Sequence, residues 1–331
     1  MSEFIDSWPH KIFNSNLHNF EELCLQAFHY QYQNNRIYRE YAQFWNILHS
    51  DAISSVHEIP FLPIEFFKTH EVKTGNLPIL KTFESSGTGQ SGNSKHFIAD
   101  LKIYEQSIFT HFESVFGSIE NCCILGLLPS YLEKENSSLV YMVQALMKKS
   151  KHPLNGFYLY EHQELANKLA LLESKNEPYV LFGVSFALLD FANKFKFPIT
   201  SGKIIETGGM KGRKKEMTKM ELHGILNASF QTNAIYSEYG MCELQSQFYT
   251  TKDEFYSCPP WAQVQTVDMN DPKCFAKKGK TGSISIIDLA NIHSCCFIQT
   301  ADLGIVHENS QFEILGRRDD SELRGCSLLV E

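Results

Sequence analysis

No stretch of this sequence approaches about 18 consecutive uncharged apolar residues, so no helical membrane span is expected. The first residues, Met1-Ser2-Glu3-Phe4-Ile5-Asp6, lack the basic and apolar segments of a secretory signal, and the expectation is a cytoplasmic protein. Positive charge is also short: 30 Lys and Arg stand against 38 Asp and Glu, a formal net charge of −8. Nothing in that balance argues for nucleic acid, which would want a basic face. The one dense basic run, Lys211-Gly212-Arg213-Lys214-Lys215, fits either a solvated loop or a loop facing phosphate. Among the nine cysteines there is no C-x-x-C pair and no metal-ligand spacing. Cys122-Cys123 and Cys295-Cys296 lie beside apolar runs, where a thiol acts as a small buried hydrophobe. Internal repeats and low-complexity tracts are missing as well.

What is present is a long chain with a large apolar share. Its 331 residues suffice for one large domain or a few smaller ones, and its 25 phenylalanines suit a sizeable core or an apolar pocket. Phe20, Leu23, Ala27 and Tyr30 recur at helical spacing, as do Ile37, Tyr41, Phe44 and Leu48, so residues 15–50 are expected to be helical. Pro60 and Pro63 then discourage helix. Asp100 is a plausible N-cap for a helix carrying Leu101, Tyr104, Ile108 and Phe112, and Ser137 or Ser138 can cap another over Leu139–Met147. Further helices are expected at 161–173 and 186–195. Between them, Cys123–Leu128, Tyr179–Val184 and Lys203–Glu206 read as buried strands. This βα alternation implies a mostly parallel sheet. From about residue 226 short strands dominate, at 234–236, 264–267, 282–287, 295–299 and 312–315. The expected division is a helical region over 1–80, an α/β nucleotide-binding region over 81–225, and a β-rich subdomain with a short tail over 226–331.

Residues 84–95 form a polar loop, Glu84-Ser85-Ser86-Gly87-Thr88-Gly89-Gln90-Ser91-Gly92-Asn93-Ser94-Lys95. Its glycines let the backbone approach a ligand, and N–H groups, hydroxyls and a lysine can hold phosphate oxygens. Gly87, Gly89 and Gly92 match the dinucleotide pattern G-x-G-x-x-G in letters. The approach is mixed, however, and no helix follows directly, so that reading fails. A Walker A loop fails too, because lysine follows neither Gly89 nor Gly92. A phosphate cradle and a plain surface loop both remain open on these residues alone.

The same loop resembles the S-S-G-T-T-G-x-P-K segment of adenylate-forming enzymes, with one Thr missing and Lys95 set further along. Four more segments follow in that superfamily's order. Gly208-Gly209 falls at its adenine-contacting turn. Tyr239-Gly240-Met241-Cys242-Glu243 resembles Y-G-x-T-E, Thr300-Ala301-Asp302 resembles T-G-D, and Gly316-Arg317-Arg318-Asp319-Asp320 resembles the G-R-x-D-D hinge. The resemblance implies ATP and Mg²⁺. Ser85, Ser86, Gly87, Thr88 and Gly89, with Lys95, would face phosphates. Glu243 would hold the metal, Tyr239 would lie against adenine, and Asp302 and Arg317 would bond the ribose. Each also has a bland role: Glu243 as a cap, Tyr239 as core, Asp302 as a turn residue, Arg317 as a solvated charge.

Within that superfamily the chain most resembles the LuxE family of acyl-protein synthetases. Phe28-His29-Tyr30-Gln31 with Asn34-Asn35, Ile59-Pro60-Phe61-Leu62-Pro63-Ile64, Gly208-Gly209-Met210-Lys211-Gly212 and Leu323-Arg324-Gly325-Cys326-Ser327 carry the likeness. It implies an adenylate-forming α/β fold with a helical N-terminus, a mostly parallel sheet and a smaller β-rich subdomain. The chain stops 11 residues after Asp320, so the C-terminal ligase domain, roughly a hundred residues elsewhere, is expected to be largely absent. The implied activity is ATP-dependent activation of a fatty acid, then transfer through a Cys326 thioester to a protein, either a reductase-like partner or a carrier. Two alternatives stay open: a ligase passing an aryl or short acid to CoA, a carrier or an amine, and a non-catalytic acyl- or nucleotide-binding homologue.

Overall fold

The structure is a computed structural model that describes residues 2–85, 92–129, 135–208, 217–251, 255–269, 271 and 273–317. The chain divides into two compact units. One takes the residues up to Lys81, Ser94–Asp100 and the chain from Ser257 onward; the other takes Thr82–Asn93 and Leu101–Tyr256.

In the second unit six strands pair in the order Phe248–Thr250, Ile235–Tyr239, Gly202–Thr207, Tyr179–Val184, Cys123–Leu127, Gly156–Tyr158. All neighbours are parallel except Phe248–Thr250, which runs antiparallel to Ile235–Tyr239. Cys123–Leu127 and Tyr179–Val184 are buried at every position, as a parallel strand covered on both faces must be. Helices Ser138–Ser150, His162–Lys175, Ser185–Lys194 and Lys219–Phe230 carry the chain from strand to strand. Helix Leu101–Phe116 sends Phe112 and Phe116 against Tyr249, and Phe112 also meets Phe182. Fully burying a side chain of this size is worth about 1.5–3 kcal/mol, so this aromatic group is a principal anchor of the sheet. The chain leaves Cys123–Leu127 for a strand on one side and returns to a strand on the other. In such doubly wound sheets ligands settle outside the carboxyl ends of the strands at that reversal.

The other unit is an antiparallel meander of Ala262–Val267, Thr281–Asp288, Phe297–Val306 and Phe312–Arg317, with Leu62–Pro63 parallel to Phe297–Val306. Phe297–Val306 alternates buried and half-buried positions along its outer length, the period-two pattern of a strand with one covered face. Among the described residues four α-helices accompany it: Ser2–Phe13, Phe20–Asn34, Arg36–Phe44 and the short Phe66–Thr69.

The helical stretch expected over 15–50 is broken at Asn35, whose φ of −117° and ψ of 106° are not helical. Its side chain accepts from Tyr38 N and so starts the next helix. Gln31 and Asn35 also reach into the loop after Thr281–Asp288. Gln31 Nε2 donates to the carbonyls of Asn291 and Ile292 (3.1 and 3.0 Å), and Asn35 Nδ2 to that of Ser294 (2.9 Å). The Gln and Asn of the N-terminal aromatic motif are thus architectural: both are fully buried and satisfy loop carbonyls that water cannot reach. Among the described residues, no helix is long and apolar enough to cross a membrane.

Candidate active site

At the carboxyl edge of the parallel sheet the strands end in polar residues that the core would otherwise exclude. Glu206, near the end of Gly202–Thr207, is buried. Ser237 on the next strand donates to Glu206 Oε1 at 2.6 Å, and Ser185, just past Tyr179–Val184, lies 2.9 Å from Oε2. His223 Nε2 is 3.1 Å from Ser237 Oγ. Thr207 donates to Glu238 Oε2 across the same pair of strands. Burial first, and the neighbouring Glu206 charge with it, push the Glu238 carboxyl up to about 7, against the lowering effect of the Thr207 hydrogen bond. Gly208 follows with φ at +68°, a conformation glycine adopts without strain. At Gly240 a Cβ would meet a Glu238 carboxylate oxygen, so a larger residue there would displace that carboxyl group.

The chain after Gly240 is polar yet buried from Cys242 through Gln247. Glu243 is 4% exposed, and Ser246 Oγ lies 3.3 Å from Ser107 Oγ. The Cys242 thiol is held well above its ordinary value by burial first, then by Glu243, then by the charge of Glu84. A thiol so placed stays protonated and is no nucleophile. The charges of Glu84, at the entrance to the Ser/Gly loop, and of Glu243, in the Y-G-x-x-E segment, both act on this one sulfur. Carboxylates suit a hard cation that phosphates can share, since Mg²⁺ needs only one or two protein carboxylates beside its substrate oxygens. Among the described residues there is no group of three or more His, Cys, Asp or Glu that would cage a metal alone.

Ser85 is half-buried beside Glu84, Asn93, Glu135 and Asn136, which line one hollow. Tyr239 is half-buried with its ring 6.1 Å from Phe248 and 5.8 Å from Tyr256, so it is packed on one side at least. Ser86, Gly87, Thr88, Gly89, Gly209 and Cys326 lie outside the described residues.

The remaining expected residues belong to the β-rich unit. Asp302 and Arg317 face each other across antiparallel strands, with Arg317 Nε 3.4 Å from Asp302 Oδ1. Asp302 is buried and Arg317 is largely exposed, so the forked donor stands at the surface with its partner beneath. Thr300 Oγ1 accepts from Asp302 N at 3.1 Å and donates to the Ile284 carbonyl at 3.0 Å, which fixes the T-A-D segment within strand Phe297–Val306 rather than in a turn. Lys95 is exposed, while the next residue, His96, is buried and 2.9 Å from Asn291 Oδ1.

Sequence reading missed Ser185, Glu206, His223 and Ser237. One signal was available: Glu206 is a carboxylate directly after the apolar pair Ile204-Ile205 of an expected buried strand, and a charge there has to be satisfied from the side.

A family model described as acyl-protein synthetase, LuxE, matches residues 5–331. The long-chain-fatty-acid--luciferin-component ligase of Aliivibrio fischeri is 22% identical over 332 residues, covering 93% of this chain and 86% of that protein. Its counterpart from Vibrio harveyi is 21% identical, covering 91% and 84%. Among solved structures, an open conformation of 2-hydroxyisobutyryl-CoA ligase aligns with a TM-score of 0.67 at 10% identity, over 90% of this chain and 74% of that one. ATP-bound MatB from Rhodopseudomonas palustris aligns with a TM-score of 0.54 at 13% identity, over 72% of this chain. This chain spans about half the MatB length, 48%. Both structural likenesses are at the level of fold: an adenylate-forming α/β architecture with a large, mostly parallel sheet.

Proposed function

Since the chain belongs to the LuxE acyl-protein synthetase family and is a ligase of that kind, we propose that it joins a long-chain fatty acid to a protein in two steps, an acyl-adenylate followed by a cysteine thioester. The relatives named above carry a fatty acid and a luciferin component in their names, and those names suggest the acid and the kind of acceptor. The single observation that carries the reading is that the charges of Glu243 and, more weakly, Glu84 both act on the Cys242 thiol. This coupling links the loop entrance to the Y-G-x-x-E segment within one unit.

In the first step a carboxylate oxygen of the fatty acid attacks the α-phosphorus of ATP. The bond from that phosphorus to the bridging oxygen breaks, and pyrophosphate leaves. No general base is required, because a fatty acid is already ionised at neutral pH. Ser85 through Gly89, with Lys95, would receive phosphate oxygens. The Gly208–Gly209 turn and Tyr239 would lie against adenine, with Asp302 as acceptor and Arg317 as forked donor for ribose. Glu243 would hold Mg²⁺, with Glu84 close by, and bound Mg²⁺ supplies positive charge against the charge growing on the phosphates. In the second step the Cys326 thiolate attacks the acyl carbonyl, the bond to the adenylate oxygen breaks, and AMP leaves. A nucleophile on the acceptor protein then takes the acyl group and frees the cysteine.

The test is incubation with ATP and radiolabelled fatty acid, run beside acid-dependent ATP–pyrophosphate exchange over a panel of acids. We expect exchange with long-chain acids and label retained on the denatured wild-type protein. Cys326→Ser should lose the label and keep the exchange. A Cys326→Ser protein labelled like wild type removes the thioester, and exchange confined to aryl or short acids removes the fatty substrate.

A further inference from the structure

The buried cluster of Ser185, Glu206, His223 and Ser237 has no part in the steps above. All four are less than a tenth exposed, and they come from two strands and two helices of a single unit. A buried carboxylate is costly unless it is satisfied by its neighbours, and the bonding of Glu206, with His223 Nε2 3.8 Å from its Oε1, defines the cluster. His223 Nε2–H can donate to Ser237 Oγ (3.1 Å), whose own proton goes to Glu206 Oε1 (2.6 Å). This order places the imidazole proton on Nε2. On the other side, Ser185 Oγ lies 2.9 Å from Glu206 Oε2 and 2.8 Å from the Gly208 carbonyl oxygen. A serine has one proton and here has two acceptors in reach, so Ser185 shares that proton between the carboxyl group and the Gly208 carbonyl. Gly208 is exposed, has a positive φ and directly follows its strand, and Ser185 gives its carbonyl a donor from the core.

We infer that Glu206 is a positioning residue for the nucleotide: through Ser185 it fixes the Gly208 turn in the conformation that receives adenine, and through Ser237 and His223 it is itself held rigid. The inference rests on the proposed ATP-dependent reading of this edge. It assigns binding to Glu206 by hydrogen bonding rather than by charge, and proton counting separates the two. A glutamine at 206 would accept from Ser237 with its carbonyl and donate its amide N–H to Ser185 Oγ, leaving the serine proton for the Gly208 carbonyl. Every link survives without the charge. Alanine at 206 removes both links, and alanine at 185 cuts the bridge to the turn alone.

Equilibrium dialysis of radiolabelled ATP against the full chain reads the effect directly, with circular dichroism showing that each variant is folded. We expect Glu206→Ala and Ser185→Ala to weaken ATP binding about tenfold, the loss of roughly one well-placed hydrogen bond to a fixed turn. Glu206→Gln should stay within about twofold of wild type, and fatty-acid affinity should not move in any variant. Should Glu206→Ala fail to fold, Ser185→Ala decides alone. Unchanged ATP affinity in Ser185→Ala overturns the inference, as does a Glu206→Gln protein weakened as far as alanine. A wild type that binds ATP without pyrophosphate exchange sinks the adenylation reading and leaves this comparison standing; one that binds no ATP sinks both.

Discussion

Two carboxyl groups on neighbouring strands, Glu206 and Glu238, show how single residues set the electrostatics of the sheet edge. Glu238 is buried, receives one hydroxyl from Thr207 and feels the Glu206 charge, and its carboxyl is pushed from 4.5 up to about 7. The native state therefore favours the protonated form relative to the unfolded chain. Its contribution to stability is full below about 4.5 and is lost as pH rises through about 7. Glu238→Gln keeps the shape of the neutral acid at every pH. The melting temperature of the variant minus that of wild type should thus grow between pH 5 and pH 8. A difference that is flat or shrinks over that range would place the wild-type carboxyl in its ordinary titration range. The thiols follow the same logic in a simpler setting: burial alone is the largest effect raising Cys122 to about 11 and Cys123 to about 12. Adjacent cysteines beside apolar runs behave here as core atoms.

At the scale of elements, what could be read from the sequence was what local pattern dictates. Cys123–Leu127 and Tyr179–Val184 announce themselves as short, wholly apolar runs, and a parallel strand covered on both faces has no other way to look. Ser137 accepts from Val140 N, as its position before an apolar helix foretold. Helix Lys219–Phe230 was passed over although its start carries the signature. Thr218 Oγ1 accepts from Glu221 N at 3.2 Å while Glu221 Oε2 accepts from Thr218 N at 2.7 Å, a reciprocal capping box. Gly224 and the polar His223 and Asn227 interrupt the apolar stripe that spacing arguments rely on, and His223 is polar because the Glu206 cluster uses it. A cap with little apolar stripe behind it should matter more than usual. Thr218→Ala is expected to cost about 1 kcal/mol, measured by urea denaturation with an unchanged m-value. Loss below a few tenths would mean the helix end is held by packing instead. The site showed the same division: motifs in chain order were legible, whereas the serines and histidine that satisfy Glu206 come from separate elements and leave no mark in spacing.

At the scale of the whole molecule, the chain enters one unit, leaves it at Thr82, revisits it for Ser94–Asp100, leaves again at Leu101 and returns at Ser257. The returning segment completes what the N-terminal segment began. Trp8 is fully buried, and its indole N–H donates to the Leu289 carbonyl at 2.9 Å, across 281 residues of sequence; Phe13 lies edge-on to Trp261 at 4.9 Å. No local signal could reveal that helix Ser2–Phe13, which even contains Pro9, would be anchored by a strand connection near the other end of the chain. Contacts of such separation must wait for loop closure, so this unit should fold slowly for its size. They also make the first helix a structural part rather than a trailing end. Trp8→Ala is expected to destabilise the unit by about 3–5 kcal/mol. Trp8→Phe, which keeps a ring and loses the donor to Leu289, should cost less, about 1–3 kcal/mol. The measurement is selective, because all three tryptophans, Trp8, Trp45 and Trp261, belong to this unit, and Trp45 and Trp261 remain as fluorescence reporters in both variants. If denaturant midpoints followed by that fluorescence stay at the wild-type value in Trp8→Ala, the helix is not part of the cooperative unit and Leu289 needs another partner.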